Sequence, residues 1–160
     1  MSGVQGLEFG PFPQDITLIK RTTTARPAGS SGADPELVWS RNNALVAGFY
    51  RVYGRLIINN LNPVPNNVSW SWSIPDGINA LVDIAVTTLN FIDSAVTPIS
   101  WVGDQDARYD TAFSTAGSIS ANLTGTIYIP QPGNVSLNWA PTDDMAELLT
   151  NTFVQLKLVR

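Results

Sequence analysis

Ser118-Ile119-Ser120-Ala121-Asn122-Leu123-Thr124-Gly125-Thr126-Ile127-Tyr128-Ile129 is the stretch on which the fold turns. Small or polar Ser118, Ser120, Asn122, Thr124 and Thr126 alternate with Ile119, Ala121, Leu123, Ile127 and Ile129. After Pro130 and a turn at Pro132-Gly133, Val135, Leu137 and Trp139 alternate with Asn134, Ser136 and Asn138. The chain closes on Val154, Leu156 and Leu158 alternating with Phe153, Gln155 and Lys157, and stops at Arg160. Successive side chains of a strand point to opposite faces. Period-two patterning of this kind therefore means strands buried on one face only, as in an antiparallel sandwich. A strand that runs to the last residues suits holding a shape more than catalysis.

Working outward, Ala44 to Asn59 is the longest strand candidate. Tyr50, Val52, Leu56 and Ile58 share one face with Gly54, while Phe49, Arg51, Tyr53, Arg55 and Ile57 share the other. Arginines interleaved with aromatics make neither an ordinary core face nor an ordinary wet one. The pattern fits a subunit interface or a solvated face with snorkelling Arg. Val68, Trp70, Trp72 and Ile74 alternate with Ser69, Ser71 and Ser73, and the two Trp read as core because of the area each ring buries. Ala80, Val82, Ile84 and Val86 oppose Leu81, Asp83 and Ala85 in a further strand over Asn79 to Thr88. Weaker strands are expected around Leu89 to Ile92 and Ile99 to Val102.

Nearer the start, Ile16 to Lys20 reads as a short strand, followed by a Thr, Ala, Gly and Ser-rich loop through Gly32. Asp34-Pro35 marks a turn before a strand over Glu36 to Ser40. Thr142 to Thr150 holds the single plausible helical turn, with Asp143 and Asp144 as first-turn acids complementing its dipole. Met1 to Gln14 is set apart: Gly3, Gly6, Gly10, Pro11 and Pro13 oppose regular structure, yet Leu7, Phe9 and Phe12 are too apolar for an idle tail. It reads as an arm, folded back on its own domain or docked on a neighbour. The expected organisation is an arm over residues 1–14 and one all-β, antiparallel jelly-roll β-sandwich over residues 15–160.

Composition narrows the chemistry. The 160 residues suffice for one well-buried core, and 44% hydrophobic with 14% charged residues is a globular balance. A net charge of −4 leaves no general basic field for nucleic acid. No apolar run approaches the roughly 20 residues of a membrane-spanning helix, and no basic, apolar signal peptide opens the chain. The expectation is a soluble protein with neither nucleic-acid nor membrane partners. Cysteine and histidine are both absent, which removes thiolate metal sites, Ser-His and Cys-His arrangements and the usual general base.

The remaining candidates are weak. Asp104, Asp106 and Asp110 place three carboxylates in a short run, as Ca²⁺ ligation would require. The run lacks the Gly and distal Glu of an EF-hand loop, and Arg108 sits among the acids, so it reads as a solvated loop. Asp83 is a candidate buried, paired acid, but no second carboxylate is placed to complete an acid/base couple. Asn-x-Ser/Thr triplets at Asn67, Asn122 and Asn134 follow from composition. No catalytic residue, cofactor site or metal site is expected, and the chain is not expected to be an enzyme.

Three stretches resemble the tumour-necrosis-factor-like jelly roll, and more closely its compact versions in tailed bacteriophages. They are Gly48-Phe49-Tyr50-Arg51-Val52-Tyr53-Gly54-Arg55-Leu56, the pair Leu123 to Ile129 and Gly133 to Ala140, and the closing Thr152 to Arg160. The opening, Ile16 to Lys20 with a Thr-rich run and then Asp34-Pro35-Glu36-Leu37, fits the same pattern.

The resemblance implies a homotrimer with one sheet of each protomer packed around a threefold axis. Tyr53 falls where the family places an interface aromatic, and strand parity adds Arg51, Arg55, Asn122, Thr124, Phe153, Gln155 and Lys157 to that interface. Arg51 and Arg55 depart from the family's uncharged residues, so the trimer needs acceptors for two guanidiniums per subunit, with Asp83 or the acidic loop as donors of negative charge. The function it implies is that of a structural virion protein. The expected type is a trimeric capsid decoration (cement) protein on the exterior of a tailed-phage head, made in the host cytoplasm. Its partners are then itself and the major capsid protein, the latter gripped by Leu7, Phe9 and Phe12 of the arm. The alternative is a receptor- or carbohydrate-binding head of a tail fibre or tail tip, with Trp and Asn serving sugar stacking.

Overall fold

Strand alternation governs nearly every segment of the computed structural model, which describes residues 15–40, 45–62, 66–76, 79–90, 96–103, 109–113 and 117–159. The strands in chain order are β1 (Asp15–Ile19), β2 (Thr24–Arg26), β3 (Gly32–Trp39), β4 (Gly48–Asn60), β5 (Asn66–Ser73) and β6 (Leu81–Asn90). They continue as β7 (Val96–Gly103), β8 (Tyr109–Phe113), β9 (Gly117–Ile129), β10 (Val135–Pro141), β11 (Ala146–Leu148) and β12 (Phe153–Leu158). Among the described residues there is no α-helix.

Two antiparallel sheets face each other. The larger, of eight strands, runs β1-β12-β4-β9-β6-β7, with β11 joining the far end of β4 to β2. The smaller, of four strands, runs β3-β10-β5-β8. From β3 onward the chain crosses between sheets at almost every connection: β3 small, β4 large, β5 small, the β6–β7 hairpin large, β8 small, β9 large, β10 small, β12 large. That crossing pattern is the jelly roll.

The core lies between the sheets and is built from the predicted inward faces. Tyr50, Val52, Leu56 and Ile58 of β4, Ile119, Ala121, Leu123, Ile127 and Ile129 of β9, and Val82, Ile84 and Val86 of β6 are all buried. Facing them, Trp39, Trp70, Trp72, Leu137 and Trp139 line the small sheet and are also buried. Trp70 lies directly opposite Trp139 across the β5–β10 ladder, their rings stacked at 6.3 Å. Trp39 and Trp72 meet at 5.9 Å. Truncating a ring of this size in a packed interior costs about 3–5 kcal/mol, so these indoles are central to the sandwich and the core expectation for Trp70 and Trp72 holds.

Three local expectations are corrected. Thr142 to Thr150 forms no helix: Ala146 and Leu148 are buried with Glu147 between them, a period of two, and β11 docks between β2 and β4. Asp143 and Asp144 are instead loop acids whose backbone N–H groups donate to the buried Asn66 Oδ1 at 3.1 and 3.2 Å. Asp34-Pro35 does not precede a strand but lies inside β3, at a register shift against β10. Thr24 to Arg26, expected in a loop, is a strand because β11 offers it an edge.

Candidate self-association face

β4, β9 and β12 lie side by side, so residues opposite one another in register present their side chains to the same side. Phe153 pairs with Arg55, Gln155 with Tyr53 and Lys157 with Arg51. On the other flank Tyr53 pairs with Thr124 and Arg55 with Asn122. Tyr53, named from the resemblance, and the seven residues that strand parity adds to it therefore share the outer face of the eight-stranded sheet. Arg51, Tyr53, Arg55, Asn122, Thr124 and Lys157 are exposed there, and Phe153 and Gln155 are half-buried.

The face is ordered by its own contacts. The Tyr53 and Phe153 rings lie 5.7 Å apart, and Arg55 Nε donates to Ser120 Oγ at 2.8 Å. A second aromatic pair, Phe49 and Tyr128, sits further along at 4.7 Å, with Leu81 across the ladder from Tyr128. Phe49, Tyr53 and Leu81 remain 51%, 57% and 61% exposed, and Ile19 at the β1 side 55%. Strand parity groups Phe49 with Tyr53 and Leu81 with Asp83, but nothing local indicates that β6 lies beside β9 and brings Leu81 to Tyr128.

Asp83 is corrected from candidate buried acid to exposed outer-face residue. It pairs across the ladder with Thr126, which pairs in turn with Arg51. Arg51 and Asp83 thus flank Thr126 in one row, about 10 Å apart along a ladder of roughly 4.8 Å strand spacing. The arm residues Leu7, Phe9 and Phe12 lie outside the described residues, as do Asp104 and Asp106 of the acidic run. Among the described residues no group of three acids is placed to hold a metal ion.

A polar cluster that sequence reasoning missed ties the segment after β1 to β2 and β3. Lys20, at the end of β1, is 1% exposed, and its Nζ donates to both oxygens of the fully buried Asp34 at 3.0 and 2.9 Å. The same Nζ donates to Thr24 Oγ1 at 2.6 Å and to Glu36 Oε2 at 3.3 Å. Glu36 also accepts from the Thr22 hydroxyl and the Thr22 and Arg21 amides. These bonds, the Thr22 hydroxyl foremost, hold its carboxyl down at about 2. The bulge at Asp34-Pro35 turns Asp34 inward, so its carboxylate also accepts from the Trp139 indole at 3.4 Å.

No family model matches this chain, and no curated protein does. Among solved structures it is similar to Eiger TNF from S. frugiperda, at 11% identity over 91% of this chain and 92% of that one, with a TM-score of 0.46. It is also similar to the VP2 subviral particle protein of infectious bursal disease virus, at 11% identity over 91% of this chain and 37% of that one, with a TM-score of 0.24. The jelly roll itself rests on the strand order above.

Proposed function

We propose that the chain is a structural shell protein: a trimeric capsid decoration protein of a tailed phage, its eight-stranded sheet packed against two further copies. The observation that carries the trimer is the outer face itself. Phe49, Tyr53, Leu81 and Ile19 are more than half exposed on one sheet surface, interleaved with Arg51 and Arg55. Extended apolar surface rimmed by charge is what interaction sites present, and Tyr, Phe and Arg are the types enriched in their cores. The shell assignment rests on the resemblance of the quoted strands to compact phage jelly rolls, with Leu7, Phe9 and Phe12 as the capsid-gripping residues.

Sedimentation of the purified chain tests the trimer: three chains per particle are expected, and Tyr53→Glu, which places a charge in the centre of the face, is expected to give single chains. A lone protomer at working concentration defeats the proposal. Removal of Met1 to Gln14 is expected to leave the trimer but abolish capsid binding. For the tail-head alternative, Trp39, Trp70, Trp72 and Trp139 are core residues and do not serve as a surface stacking platform. Locating the protein on intact particles, over the whole head or only at the tail, separates the two.

A further inference from the structure

On the opposite side of the sandwich from the proposed trimer face, the outer surface of β3, β10 and β5 is hollowed into a groove of about 590 Å³. Its floor is a ladder of hydroxyls and one amide: Ser71 opposite Asn138, and Ser73 opposite Ser136. One wall is the Gly29 to Ala33 segment. That wall is fixed by Arg26, whose guanidinium donates to the carbonyls of Gly32, Ala33 and Trp139 and lies 4.6 Å over the Trp139 ring. The Gly29 amide adds a bond to the Pro141 carbonyl at 2.8 Å.

We infer that this groove is a binding site for a neutral saccharide of one or two rings. Its volume falls in the range of about 300–1,000 Å³ typical of small-ligand sites. Among the described residues that line it none carries a charge, which disfavours phosphates, nucleotides and acidic or basic peptides. It lies on a sheet face rather than a free edge and has no deep apolar pocket, which disfavours an extended or helical peptide.

The hydrogen-bond directions suit vicinal hydroxyls. Asn138 Nδ2 donates to Ser73 Oγ at 2.8 Å and to Ser71 Oγ at 3.5 Å, leaving both hydroxyl protons to donate outward. Ser136 donates to Asn138 Oδ1 at 3.2 Å, leaving its oxygen to accept. The floor thus offers neighbouring donors and an acceptor, while Ala33 and Ala140 offer apolar surface to a ring's C–H face. Because it faces away from the eight-stranded sheet, the site stays open whether the chain is single or trimeric. It stands on the groove alone, independently of the shell reading.

The test is an amide-shift titration of the full chain with neutral glucose-, galactose-, mannose- and N-acetylhexosamine-based oligosaccharides, beside sialylated and sulfated ones. Saccharide at up to about 10 mM reveals even a millimolar site. Shifts centred on the backbone amides of Ser71, Ser73, Asn138 and Trp139 are expected with at least one neutral sugar. Asn138→Ala and, separately, Ser73→Ile, which fills the open end with a strand-compatible side chain, are each expected to weaken binding at least tenfold. The Tyr53→Glu variant should bind undiminished. No shift with any neutral sugar, binding of charged sugars alone, full binding by both groove variants, or loss of binding in Tyr53→Glu would each overturn the assignment.

Discussion

Lys20 and Asp34 form a pair with both side chains at 0% exposure, a placement tolerable only while each neutralises the other. Lys20→Met removes one charge and leaves the other buried, which is expected to lower the unfolding free energy by about 3–5 kcal/mol in urea titrations. Adding Asp34→Asn should recover part of that loss, because the amide still accepts from the Glu36 N–H that now bonds Asp34 Oδ1 at 3.0 Å. Glu36 sets an acid response. Its carboxyl is held at about 2 against an ordinary value of 4.5, so the fold favours its ionised form. The stability it contributes is complete above about 4.5 and is lost as pH falls toward about 2. Glu36→Gln is therefore expected to be less stable than the parent at pH 7 but to lose less on acidification through that window, measured by thermal unfolding at a series of pH values.

At the scale of elements, the close approach of β9 to β6 depends on a missing side chain. A Cβ on Gly125 would collide with the Asp83 carbonyl oxygen and the Ile84 Cα, backbone atoms that cannot rotate away. At Gly54 the tightest neighbour is the Phe153 carbonyl oxygen at 2.8 Å, a milder clash with β12. Gly125→Ala is expected to cost at least the roughly 1–3 kcal/mol of an overpacked core and to cost more than Gly54→Ala. Faster hydrogen exchange along β6 would mark where the strain goes. β11 carries a different lesson. Asp143 to Leu149 reads from sequence as a helical turn, but so brief a segment contains too few repeats to fix its period. The open edge of β4 and the buried amides of Asn60 and Asn66, which hold the loop before β11, decided for the strand.

For the whole molecule, the proposed trimer turns on the charges of the outer face. In the proposed trimer Arg51 needs an acceptor, and Asp83, on its own row, is the acid best placed to supply one from the same or a neighbouring copy. Arg51→Glu is expected to weaken the trimer in sedimentation, and Asp83→Lys in the same chain to restore it, whereas additive weakening would show that the two do not meet. Alternation alone determined the sandwich, the long strands β4 and β9, and the face on which Tyr53, Arg55, Asn122 and Phe153 lie, because a strand's two-residue period is local and each residue's side follows from its neighbours. Which strands become neighbours is a matter of long-range pairing that no local period encodes. Only the tertiary structure therefore brought Leu81 to Tyr128, turned Asp34 inward onto Lys20, moved Asp83 to the surface, and stood the Arg26-held wall beside the serines of β5 to make a groove.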